Sequence, residues 1–215
     1  MKDKTIESIL SNKLIAIIRG YDSDTCLKIA ESLHNGGINL IEVTFNQSAQ
    51  QTHVETASAI KAINDHFGGQ VIAGAGTVSN LEQLNLASAA GAKYIISPDT
   101  NISVIKKTCD LGLVSMPGAF TPTEIMSAYA NGADFVKLFP AASLGEDYIK
   151  AILAPINHVP LMAVGGINQK NVKQFLDLGF KGIGIGGCLT NKEWISTGEF
   201  EKITALAKQF VENTV

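Results

Sequence analysis

The stretch NGADFVKLF, residues 131–139, carries the pattern that decides the fold: a glycine closes one element, and an apolar, β-rich run begins the next. A helix that ends in a left-handed residue favours glycine just past its C-cap, so a glycine directly before an apolar run marks a helix-to-strand junction. The same junction recurs in NGGINLIEV (35–43), AAGAKYIIS (89–97), LGLVSM (111–116) and LGFKGIGIG (178–186). This is an internal structural repeat.

Working outward, eight short apolar runs follow one another: KLIAIIR (13–19), INLIEVT (38–44), QVIAGAG (70–76), KYIIS (93–97), LVSM (113–116), DFVKLF (134–139), PLMAV (160–164) and KGIGIG (181–186). Segments with helical spacing separate them, such as CLKIAESLHNGG (26–37), where Leu27, Ala30 and Leu33 share a face. That alternation predicts a parallel sheet. Eight such units in 215 residues fit an α/β chain folded as a (β/α)₈ TIM barrel better than an open doubly wound sheet, which more often has about five to seven strands. No linker divides residues 1–215, so a single barrel domain is expected. An extra N-terminal helix, TIESILSNK, precedes the first run and is expected to cover the barrel's bottom.

Composition narrows the function. The chain is 46% hydrophobic and 17% charged, with a net charge of −3, and its basic residues form no stripe, so neither nucleic acid nor a membrane is expected as a partner. The start, MKDKTIESILSNK, lacks the apolar core of a leader, and a cytoplasmic location is expected. Cys26, Cys109 and Cys188 form no framework, and His34, His53, His66 and His158 have no metal-ligand spacing, so no metal is expected.

In a barrel of this kind chemistry occurs at the C-terminal ends of the strands, where the polar residues are few: Arg19, Glu42, Thr44, Thr77, Ser97 and Lys137. Alternation puts Glu42 on the face of Leu40 and Thr44, and Lys137 on the face of Phe135 and Phe139. With those faces inward, carboxylate and amine approach across the barrel axis. The bland reading is a buried ion pair. The functional reading is that desolvation makes Lys137 a nucleophile toward a carbonyl, the resulting iminium is an electron sink, Glu42 moves protons, and Arg19 holds a substrate carboxylate.

AVGGI (163–167) and GIGIGG (182–187) supply backbone amides where phosphate commonly binds in such barrels. The second run satisfies GxGxxG, but too little chain follows it to complete a dinucleotide-binding unit. Close helix–sheet packing is the structural alternative for these glycines.

The stretches IAIIRG, GGINLIEVTF, IAGAGTV, ISPDTN, MPGAFTPTE, VKLFPA, AVGGI and IGIGG, in this order over nearly the whole chain, resemble the bacterial 2-keto-3-deoxy-6-phosphogluconate / 4-hydroxy-2-oxoglutarate aldolase family. The resemblance implies a metal-free class I aldolase, a (β/α)₈ barrel assembled as a homotrimer. By that resemblance it would act on a phosphorylated keto sugar acid and release pyruvate and glyceraldehyde 3-phosphate, or pyruvate and glyoxylate from 4-hydroxy-2-oxoglutarate. Lys137 would form the Schiff base and Glu42 would be the acid/base. Arg19, Thr77 and Pro98 would line the pyruvate end with Thr44 nearby, and Phe139 would pack beside the lysine. Gly165, Gly166, Gly186, Gly187 and Cys188 would bind the distal phosphate. Asn46 stands where some members carry an arginine, which puts carboxylate binding on Arg19 alone. Cys188 stands where serine is frequent, which weakens one hydrogen bond to phosphate. Val164 before the glycine pair matches the 6-phosphogalactonate branch, whereas EVT and SPDTN resemble the gluconate branch, so the C4 epimer stays open. A phosphate-binding barrel isomerase without a covalent lysine and a non-catalytic phosphoester sensor stand as alternatives.

Overall fold

A computed structural model describes residues 2–214, and the apolar runs become strands separated by helices. Helix α1 (Lys2–Asn12) leads into β1 (Leu14–Arg19), α2 (Ser23–Asn35), β2 (Leu40–Thr44), α3 (His53–Phe67), β3 (Ile72–Gly76), α4 (Leu81–Ala89) and β4 (Tyr94–Ile96). Next come α5 (Ile102–Asp110), β5 (Val114–Met116), β6 (Gly118–Ala119), α6 (Pro122–Ala130), β7 (Val136–Leu138) and α7 (Glu146–Leu153). The chain ends with β8 (Leu161–Val164), α8 (Val172–Asp177), β9 (Gly182–Ile185), α9 (Lys192–Thr197) and α10 (Phe200–Glu212).

All pairings are parallel, in the order β5-β4-β3-β2-β1-β9-β8-β7-β6. Strands β5 and β6 are two halves of one physical strand. Pro117 between them has no N–H and interrupts the ladder. Its carbonyl still accepts the Lys137 amide at 2.9 Å, while Met116 O accepts the Ser97 amide at 3.2 Å. The fifth run, expected to end at Met116, therefore continues to Ala119. It contacts β4 on one side and β7 on the other, which closes a (β/α)₈ barrel.

The junctions form as the glycines predict. Gly132 has φ 101° and donates to Tyr129 O at 3.0 Å, and Gly37 has φ 91° and donates to His34 O at 2.9 Å. Each turns a finished helix into the next strand through a conformation that costs other residues about 1 kcal/mol or more. Helix α6 shows the opposite signal at its start, a reciprocal Thr121–Glu124 capping box with Pro122 in the first turn.

Two apolar layers result. One fills the space between sheet and helices, with Ala16, Ile18, Ile41 and Val43 against Ile29, Leu33, Ile60 and Phe210. The other fills the barrel, with Ile15, Leu40, Tyr94, Val114, Phe135 and Met162. Ile9 of α1 belongs to this inner cluster and is 0% exposed, so the first helix closes the bottom as expected. Lys2 Nζ reaches Asp134 Oδ2 at 3.0 Å, and the same oxygen accepts the Ser115 amide at 2.8 Å, which ties α1 to the barrel's lower rim. No helix among the described residues is long and apolar enough to cross a membrane.

Candidate active site

The C-terminal ends of the strands surround a cavity of about 630 Å³. Arg19, Glu42, Thr77, Pro98, Lys137 and Phe139 line one side, and Gly165, Gly166, Gly186, Gly187 and Cys188 line the other. The residues named from sequence therefore meet in one place, with the exceptions of Thr44 and Ser97. Ile167 and Gly184, from the two glycine-rich stretches, also line it, as do Ile17 and Asn168, which sequence reasoning did not single out. Alternation along β1 contained the signal for Ile17.

Thr44 corrects one expectation. It pairs with Arg19 of β1 and with Gly76 of β3, so β2 lies between those strands. Arg19 Nη2 donates to Thr77 Oγ1 at 3.2 Å, a bond that bridges from β1 to the end of β3 across the end of β2. Thr44 is only 5% exposed and is absent from the cavity wall. Ser97 is likewise buried and does not line the cavity.

Thr77 has φ 56°, a left-handed backbone that a β-branched residue adopts only under constraint. The constraint is visible: Gln47 Nε2 donates to Thr77 O at 2.5 Å, and the next amide, Val78 N, donates to Ile96 O at 3.1 Å. Together they aim the hydroxyl at Arg19. No feature of the sequence announced that torsion. One further signal was legible, since Arg19 is the only arginine in the sequence. Asn46 takes no part in the cavity wall; its Oδ1 accepts from Ser48 N and Oγ in the adjoining loop.

Lys137 and Glu42 are 7% and 2% exposed. The Lys137 nitrogen lies 4.7 Å from the centre of the Phe139 ring. Among the described residues it has no hydrogen-bond partner and no ion pair within 4.0 Å. The locked ion pair of the bland reading is thus not what the barrel contains. Burial pushes the Lys137 ammonium below the usual lysine range, the Glu42 carboxylate pulls it back up, and Arg19 adds to the lowering. Burial raises Glu42 above the usual carboxylate range, against the opposing pull of Lys137 and then of Arg19. The two titrations are drawn toward each other, which makes the neutral amine of Lys137 and the protonated form of Glu42 easier to reach than in water.

The carboxyl group has space because β3 presents glycine there: a Cβ on Gly76 would lie 1.7 Å from Glu42 Oε1. At the opposite wall, Gly165 and Gly166 have φ 95° and 75°, and among the described residues no protein acceptor takes the amides of Gly166, Ile167, Gly187 or Cys188. Two loops thus offer N–H groups to an anion. The Cys188 thiol donates to Ile167 O at 3.3 Å, and burial holds it above the ordinary thiol range. A neighbouring cavity of about 760 Å³ shares Arg19, Gly186 and Gly187 but contains neither Lys137 nor Glu42.

Comparison with known proteins agrees with this geometry. The model of the family described as "Aldolase: KDPG and KHG aldolase" matches residues 6–206. The chain is 33% identical over 177 residues to the 2-dehydro-3-deoxy-6-phosphogalactonate aldolase of Escherichia coli (strain K12), covering 82% of this chain and 83% of that one. It is 30% identical over 208 residues to the 2-dehydro-3-deoxy-phosphogluconate aldolase of Haemophilus influenzae, covering 96% and 95%. Among solved structures it resembles the KDPG aldolase of Legionella pneumophila with pyruvate captured as a covalent carbinolamine, at 28% identity and a TM-score of 0.83, covering 93% of this chain and 94% of that one. The chain belongs to the KDPG and KHG aldolase family, a family of carbon–carbon lyases.

Proposed function

We propose that the protein is a class I aldolase that reversibly cleaves 2-keto-3-deoxy-6-phosphogluconate to pyruvate and glyceraldehyde 3-phosphate, and also accepts 4-hydroxy-2-oxoglutarate. The observation that carries this reading is the buried, unpaired amine of Lys137 beside an equally buried Glu42, in a cavity with Arg19 on one wall and free amides on the other. Arg19 and Thr77 take the substrate carboxylate, which brings the C2 carbonyl to Lys137 Nζ. Attack gives a carbinolamine, and loss of water gives an iminium. Glu42 then removes the C4 hydroxyl proton, the C3–C4 bond breaks, and its electron pair flows into the iminium to leave an enamine. The aldehyde departs with the phosphate, which the amides around Gly166 and Gly187 hold beside Gly165, Gly186 and Cys188. Protonation of the enamine at C3 by Glu42 and addition of water release pyruvate and free Lys137.

A specific observation favours a second reading, the galactonate epimer. Val164 lines the cavity and has no hydroxyl to meet a substrate oxygen. The similarity to the E. coli enzyme named for that substrate supports it. Turnover of both epimers, coupled to lactate dehydrogenase, separates the two. Borohydride reduction with pyruvate, followed by peptide mass mapping, tests the covalent step: an adduct at Lys137 is expected, and an unmodified Lys137 ends the proposal. As part of the same reading the chain acts as a cytoplasmic homotrimer of single barrel domains. Exposed Phe120, Met126 and Tyr129 support self-association, and sedimentation at a mass of three chains is expected.

A further inference from the structure

Tyr94 stands on β4 with its ring inside the barrel at 0% exposure, and its hydroxyl has no partner among the described residues. The Oε2 atom of Glu42 is in the same position, buried and without a partner. An unpaired hydroxyl in an apolar interior is costly, and phenylalanine would fill the same space without that cost. Ring packing therefore accounts for the ring and not for the oxygen.

Strand β3 brings the two groups together. A Cβ on Gly74 would lie 2.1 Å from two carbons of the Tyr94 ring and 2.5 Å from Cζ, the carbon that bears the hydroxyl. A Cβ on Gly76 would collide with the Glu42 carboxyl in the same way. These glycines are two residues apart on one face, a separation of about 7 Å. Tyrosine and carboxyl therefore rest in adjacent layers on one glycine floor, and a single water between their two unpartnered oxygens, a bridge of about 5–6 Å, would give each the partner it lacks. The charged groups acting on Glu42 are Lys137 from β7 and Arg19 from β1, and β3 contributes no side chain. Burial, and then the Glu42 charge, keep Tyr94 protonated and so a donor.

We propose that Tyr94 is a positioning residue for the acid/base step: through one ordered water its hydroxyl donates to Glu42 Oε2, holding that carboxyl in place and favouring its ionised form. The inference rests on the reading of Glu42 as the base. Loss of the hydroxyl removes a donor to the carboxylate, so the pKa of Glu42 rises.

The test is Tyr94→Phe, read in two ways. In protein labelled with ¹³C at the glutamate carboxyl, with the Glu42 signal assigned through Glu42→Gln, the titration midpoint of Glu42 is expected to move up by about one pH unit. The acid limb of the cleavage rate is expected to move up equally, and the rate on the plateau is expected to fall, because the carboxyl is no longer held in place. A purely structural hydroxyl would leave both midpoints where they are, and its removal would raise the melting temperature; that result overturns the proposal. An unmoved Glu42 midpoint overturns it even in a protein without turnover, so the carboxyl titration decides independently of the aldolase reading. A moved midpoint with an unmoved acid limb refutes the role in the reaction.

Discussion

Gly76→Ala is a one-carbon perturbation whose effect follows from the geometry of the site. The backbone at Gly76 is not among the left-handed positions, so alanine is acceptable to the main chain and the added methyl is the whole change. That carbon would lie 1.7 Å from Glu42 Oε1, 2.4 Å from Cδ and 2.5 Å from Cγ. Non-bonded contacts settle near 3.5 Å, so the carboxyl must retreat by more than about 1 Å. A displacement of about 1 Å costs a reaction roughly 100-fold, and loss of a general base costs about 100- to 10,000-fold. We therefore expect kcat for cleavage to fall by that range, about 3–5 kcal/mol in barrier. The methyl lies against Glu42, not Lys137, so borohydride trapping of pyruvate at Lys137 is expected to persist. Overpacking of about 1–3 kcal/mol lowers the melting temperature, and turnover is measured well below the melt. A folded Gly76→Ala protein with kcat within about threefold of wild type would show that the position of Glu42 on this glycine floor does not control the reaction.

Other expectations test other parts of the site. Lys137→Ala is expected to abolish cleavage and trapping while the circular dichroism spectrum stays that of the wild type. In Glu42→Gln, cleavage is expected to fall by about 100-fold or more. Because the Glu42 charge raises the Lys137 pKa, its removal lowers that pKa further, and the pH midpoint for trapping is expected to move down; an upward move would contradict the coupling. Arg19→Lys keeps the charge but loses the planar fork, so KM for the keto acid is expected to rise about tenfold with kcat less affected. Ile9→Ala empties part of the barrel's bottom and is expected to cost about 2–4 kcal/mol in a denaturant melt without shifting the pH profile of turnover.

The barrel was legible because its signals are local. A glycine past a helix end and an apolar run after it are properties of a few adjacent residues, and their repetition sets the strand count. Lys137 and Glu42 were legible for the same reason, since a period of two places each on a definite face of its strand. Where sequence reading fell short, the controlling contact lies between strands distant in the chain. Thr44 was placed in the site as a polar residue at the end of its strand, yet it lies buried between Arg19 of β1 and Gly76 of β3, outside the cavity wall. The fifth strand seemed to stop at Met116, because Pro117 breaks the hydrogen-bond ladder without turning the chain out of the wall. IAGAG read as an ordinary small-residue strand, and only the register of β2, β3 and β4 assigns the space above Gly74 to Tyr94 and that above Gly76 to Glu42.

By itself, then, the sequence determined the order of elements, the faces of the strands and the identity of the residues able to do chemistry, because these depend on near neighbours and on side-chain type. Tertiary structure decided which of those residues share a cavity, how far the amine and the carboxyl are desolvated, and which glycines serve as space for another strand's side chain. Those outcomes depend on the stagger with which the strands close into a ring, and that stagger is set by packing across the whole barrel.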